Sequence, residues 1–147
     1  MIQRISIFAI VLFLAVFFQS AFILIDTIEQ PKDTVLSFCK AYYQLDESAK
    51  SYVNNQKKID MIDQYFYAQK QKANERGYRD NYLVSYLTNI HTKTIEHTNT
   101  SAKVHITAKR AAIIPWLKTR KMTHVDHTFS LIKKDNQWII SDGICTM

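Results

Sequence analysis

The sequence predicts an α+β protein: an N-terminal transmembrane helix, then helices packed on one face of a curved antiparallel four-strand sheet. Three observations carry that expectation. The run Ile5 to Ile25, ISIFAIVLFLAVFFQSAFILI, holds no charge, and its only polar side chains are Ser6, Gln19 and Ser20. Between Thr34 and Arg76 apolar residues recur at helical spacing. From Leu83 onward the spacing changes to period two with many β-branched residues, interrupted by short polar clusters.

The apolar run has the length of a bilayer span, since about 20 helical residues cross a hydrocarbon core of about 30 Å. Backbone groups in lipid must pair within the segment, which makes a helix the economical form. The leading flank carries Arg4 and the free amine, whereas the trailing flank carries Asp26 and Glu29. Positive charge stays cytoplasmic, so residues 1–4 are expected inside, 5–25 across, 26–32 as a linker, and 33–147 outside as one domain. A cleaved signal peptide is the competing reading, with a mature chain beginning near Ala21. Cleavage favours small residues at the last and third-last positions before the cut. Phe18-Gln19-Ser20 and Gln19-Ser20-Ala21 both lack the second of these, and the apolar run continues through Phe22 to Ile25.

Beyond the run, roughly 115–120 residues suffice for one compact core and not two. Lys and Arg number 19 against 13 Asp and Glu, a formal charge of +6. The basic residues are scattered, which fits a soluble basic surface better than a nucleic-acid stripe. Only two glycines occur, Gly77 and Gly143, and no glycine-rich phosphate loop is present. Cys39 and Cys145 can close a disulfide in an oxidising compartment. Its loop of about 100 residues is worth at most ~4–5 kcal/mol in the chain-entropy account. Two buried thiols, or one exposed thiol close to the C-terminus, are the alternatives.

Taken in order, Gln30-Pro31-Lys32 reads as linker and Asp33 as the cap of a helix over Thr34 to Leu45, with Val35, Phe38, Cys39, Tyr42 and Leu45 on its apolar stripe. Asp46 and Ser48 restart a short helix through Tyr52 and Val53, and Asn54 to Lys58 breaks it. Ile59 to about Arg76 forms a longer helix with Ile59, Ile62, Phe66 and Ala73 on one face and Met61, Tyr65 and Ala68 beside it, and Gly77 closes it in a left-handed turn. The strands are then Leu83 to His97, Ala102 to Leu117, Met122 to Lys133 and Gln137 to Ile144. Thr98-Asn99-Thr100, the basic tip Lys118-Thr119-Arg120-Lys121, and Lys134-Asp135-Asn136 turn between them. A meander of long strands must coil. Covered by helices on one face, it makes a cone whose open end holds a ligand or is filled by side chains.

The stretches Pro31-x-Asp33-Thr34-Val35-x-x-Phe38-x-x-Ala41-Tyr42, Leu45-Asp46-x-Ser48-Ala49-x-x-Tyr52 and Phe129-x-Leu131-x-Lys133-Lys134-Asp135-Asn136-x-Trp138-x-Ile140 resemble the nuclear-transport-factor-2-like, or cystatin-like, superfamily. The likeness covers about residues 33 to 144 at the level of pattern. In layout the chain is most similar to a membrane-anchored branch, the inner-membrane assembly factors of type IV secretion and conjugation systems. That resemblance implies a non-catalytic subunit that touches other membrane-complex proteins, or itself, beside the cytoplasmic membrane. The same superfamily holds isomerases, dehydratases and ligand binders, so a small-molecule cone is the alternative.

Enzymes of that superfamily set a carboxylate or histidine inside the cone, with a tyrosine to polarise a carbonyl. Here Asp46, His105, Asp126 and His127 are the residues able to act as base, and Tyr42, Tyr43 and Tyr65 the donors. Asp46 reads more economically as a helix cap, and His105 alternates toward a polar face. His124 and His127 fall on opposite faces of their strand. A first hairpin turning at Asn99 puts His91 and His97 on the face opposite His105. No cysteine completes a zinc set at ligand spacing. Neither a metal, a cofactor nor a catalytic group is therefore assigned. Trp116 beside Lys118, Arg120 and Lys121 has the composition of a protein contact or a membrane interface; the other reading is a core strand end with a decorated hairpin.

Overall fold

The computed structural model describes residues 11–16, 30–77, 84–112 and 122–143. Over these it is α+β, with helices packed on a four-strand antiparallel sheet in the order β1-β2-β3-β4. Residues 11–16 are helical, with Leu12 and Phe13 strongly exposed. The rest of the expected span lies outside the described residues, and among these no helix is long and apolar enough to cross a membrane.

Helix α1 runs Pro31–Gln44, three residues earlier than the capping pattern at Asp33 suggests. Pro31 occupies the first turn, where its fixed φ suits the helix and its missing N–H is no loss. Gln30 precedes it in extended conformation without a side-chain cap, and Asp33 becomes a first-turn acid. Leu45 ends α1 at φ 56, a conformation glycine usually supplies, and Asp46 N–H reaches back to the Ala41 carbonyl at 2.9 Å. The Leu45 side chain packs against the core, which offsets the backbone strain.

A 3-10 turn, Glu47–Tyr52, follows, capped by the Asp46 side chain as expected. Helix α2, Gln56–Glu75, starts within the segment expected to break. Asn55 accepts from Lys57 N–H at 2.9 Å, and this cap recruits Lys57 and Lys58 into the first turn. Gly77 takes φ +67 just beyond its end. Ile62, Phe66 and Ala73 are buried as the stripe predicts, whereas Met61 is exposed.

The strands are β1 Ser85–His97, β2 Ser101–Ala112, β3 Met122–Lys134 and β4 Gln137–Asp142. Residues 113–121 lie outside the described residues, and with them the far end of the expected second strand and the basic tip. Asp135 and Asn136 both take positive φ, the mirror-image turn that matches strand twist in a two-residue hairpin. In the β1–β2 turn the Thr98 hydroxyl accepts from Ser101 N–H at 2.9 Å. A parallel bridge from Val53 to Ile140 covers part of the β4 edge.

Helix α1 lies across one face of the sheet. Its Val35, Phe38, Cys39 and Tyr42 meet Val104 and Ile106 of β2, Phe129 and Leu131 of β3, and Ile140 of β4 in a single core. The Phe38 and Phe129 rings meet edge-on at 5.7 Å. Tyr42 stacks on Tyr65 of α2 at 4.5 Å and 8°. Cys39 is buried in this core; Cys145 lies outside the described residues.

Candidate functional site

Strand register decides what the polar side chains can reach. On the face away from the helices, Asp126 pairs across with Thr107. His105 is therefore its diagonal neighbour, and His105 Nε2 donates to Asp126 Oδ1 at 2.7 Å. His124 Nε2, two residues along β3, stands 4.0 Å from the other oxygen. The hydrogen bond from His105 holds the Asp126 carboxyl below the usual range, partial desolvation opposing it and the charges of His105, His124 and His127 assisting. Both partners of the pair are open to water, Asp126 more than half exposed.

His91 also pairs with Thr107, which puts it on the same face as His105 and not the opposite one. Of the two, only His97 lies on the helix-covered face, opposite Ala102, as expected. Of the two register shifts in β1, between Thr88 and His91 and between Thr94 and Glu96, the second lies between His97 and His91 and causes the difference. Each adds one residue and inverts the alternation. Asn89 carries the first at φ 50.

The other candidate bases sit elsewhere. Asp46 accepts from Ser48 N–H at 2.9 Å, and that backbone bond, assisted by the Ser48 hydroxyl, lowers its pKa. His127 lies on the helix-covered face 6.4 Å from the Phe129 ring, and burial lowers its pKa below the ordinary 6.5. Tyr42 and Tyr43 are buried on α1, with Tyr65 partly buried beside them on α2. Asp46, the pair His105–Asp126, and His127 thus occupy three separate places. Among the described residues no group of three or more His, Cys, Asp or Glu is disposed to hold a metal. Trp116, Lys118, Arg120 and Lys121 lie outside the described residues.

Two features escape motif reading. Arg110, near one end of β2, is partly buried with its guanidinium 5.0 Å from the Tyr43 ring and 3.2 Å from the Tyr65 hydroxyl. At the opposite end of the sheet, a groove of about 720 Å³ opens between the start of α1, the β1–β2 turn and the β3–β4 hairpin. Lys133 and Trp138, directly paired, form one wall, with the ammonium 5.8 Å from the indole. The His97 ring approaches the same indole at 5.6 Å. A signal for both existed. Arg110 continues the buried series Ala102, Val104, Ile106, Ala108, and Lys133 continues Val125, His127, Phe129, Leu131. A cation in phase with an apolar alternation marks the end of a core, where a long stem stays buried and its charge emerges.

The class these features define is a one-sided α+β half-sandwich, with an apolar core on one sheet face and a histidine- and lysine-bearing polar surface on the other. No family model, characterised protein or solved structure matches the chain.

Proposed function

We propose that the chain is a single-pass membrane protein whose domain, of nuclear-transport-factor-2-like type, serves as a non-catalytic interaction or assembly subunit of an envelope complex such as a secretion apparatus. One observation carries the non-catalytic part. The helix-covered face, where a cone enzyme would keep its substrate, is occupied by Phe38, Ile62, Ile106, Phe129 and Leu131, all at most 1% exposed. Of the groups able to move protons, Asp46 is committed to a helix cap and His105 and Asp126 to a solvent-facing pair, while His127 lies beside the Phe129 ring. The apolar run Ile5 to Ile25 supports the membrane location, and the charge bias of its flanks supports an N-terminus inside and the domain outside.

Tethering would be the mechanism. An anchor confines the domain to a plane and raises its effective concentration for a partner in the same membrane. Trp116 with Lys118, Arg120 and Lys121 is the proposed contact. The test is purification of the full chain in mild detergent at native expression, with identification of co-purifying membrane proteins. Reversing Lys118, Arg120 and Lys121 to glutamate is expected to remove those partners while leaving the urea midpoint unchanged. Unchanged co-purification would exclude the tip, and a saturable small-molecule ligand would instead favour the alternative, a ligand-binding or enzymatic cone.

A further inference from the structure

We infer that the groove beside the start of α1 is a seat for the headgroup of an anionic phospholipid in the leaflet that the domain faces. This rests on the membrane reading of Ile5 to Ile25. Five peptide steps separate Ile25 from Gln30, which lines the groove. A fully extended chain covers about 3.6 Å per step, so Gln30 lies no more than about 18 Å from the end of the apolar run, whatever path the backbone takes. Each polar headgroup layer is roughly 5–7 Å deep. The groove is thus held at or just above the lipid surface, whereas Arg110 lies at the other end of the sheet.

Its chemistry suits a phosphate diester with a polar headgroup. Lys133 supplies a cation on a partly buried stem, and Trp138 backs it with an apolar wall. Thr94, Thr98 and Asn99 bring short polar side chains to the β1 side. Helix α1 contributes the positive end of a 14-residue dipole, with Pro31 in its first turn and no side-chain cap from Gln30. None of the described lining residues is a carboxylate. Asp33 and Asp135, the acids of the adjoining first turn and hairpin, are exposed and do not line it; Lys32 and Lys134, equally exposed, balance them. A lysine over an indole beside a membrane is also the pairing that interfacial anchoring favours.

The experiment uses the full chain in zwitterionic micelles with Trp116→Phe, which leaves Trp138 as the single indole of the two in the sequence. Emission is followed during titration with short-chain phosphatidylglycerol, short-chain phosphatidylcholine, or inorganic phosphate. Phosphatidylglycerol is expected to give a saturable change, and Lys133→Gln to weaken it about fivefold, the effect of one interfacial lysine. Lys134→Gln, on the other sheet face, is expected to change it by less than about twofold. Urea midpoints of the variants report folding separately.

An equal response to phosphatidylcholine, a saturating response to phosphate alone, or a Lys133→Gln variant that binds as the parent does would each overturn the proposal. Alkaline carbonate extraction of native membranes tests the reading beneath it. Retention in the pellet without a lipid-selective response removes the groove and keeps the anchor. Release into the supernatant removes both.

Discussion

Along β2 and β3 alternate residues face two different environments. On one side Val104, Ile106, Phe129 and Leu131 are at most 1% exposed. On the other, Lys103, His105, His124 and Asp126 meet water, and Asp126 also meets the two histidines. The backbone is the same ladder on both sides, so the contrast isolates what burial adds. Apolar area removed from water contributes about 25 cal/mol per Å² and is additive over many contacts. Exposed ion pairs gain little in high dielectric and are screened by salt. Stability therefore resides on the helix-covered face, and the opposite face is free to vary in charge with little effect on folding.

The sharpest way to break this contrast is Phe129→Ala. With Phe129 fully buried against Phe38, the cavity and lost burial should cost about 3–5 kcal/mol in urea unfolding of the full chain. A loss under about 1 kcal/mol would mean that the face is not packed as described. Next come the glycines. A Cβ at Gly143, where φ is +93, would stand 2.7 Å from the Thr128 carbonyl oxygen and 3.0 Å from the Phe129 ring. Gly143→Ala should cost about 2–3 kcal/mol, since left-handed strain and a backbone clash add. Gly77→Ala, at φ +67 with nothing within 4 Å, should cost only the strain, about 1–2 kcal/mol. Equal losses at the two sites would remove the close approach of Gly143 to β3. Asn55→Ala removes the cap on Lys57 N–H and should cost about 1 kcal/mol.

The smallest effects are those of pH, and they separate the two faces. Burial lowers the pKa of His127, so as pH falls through the ordinary histidine value the unfolded chain takes up a proton first. Stability then declines until the lower folded value is passed. Between about pH 7.5 and about pH 5.5 the melting temperature of the parent should fall more than that of His127→Gln. Asp126 on the polar face also has a lowered pKa, through His105. Its contribution is present above the unfolded carboxylate value and is lost as pH falls through the folded one. Asp126→Asn should flatten only that acidic limb. Parallel melting curves for parent and His127→Gln would place His127 in water and not against Phe129.

The alternation on β2 and β3, the stripes of α1 and α2, the Asp46 cap, Gly77 and the Asp135-Asn136 turn were all legible, because each depends on residues within a few positions of one another. The early start of α1 depended on Pro31 being worth more at a first turn than Asp33 is as a cap. Lys57 and Lys58 looked like a break until Asn55 supplied a cap. Arg110 and Lys133 were visible in phase with the apolar series but carried no motif. The face of His97 was legible from the turn, but that of His91 was not, since a bulge exists only relative to a partner strand.

By itself the sequence determined the α+β class, the four strands and the side of β2 and β3 that packs, since period and turn chemistry are local properties of the chain. Only the tertiary structure decided which charges meet: His105 with Asp126, Arg110 with Tyr43 and Tyr65, Lys133 with Trp138 beside Pro31. Those meetings depend on register across strands and on where α1 crosses the sheet. Burial of Phe38 against Phe129, more than ninety positions along the chain, holds α1 there.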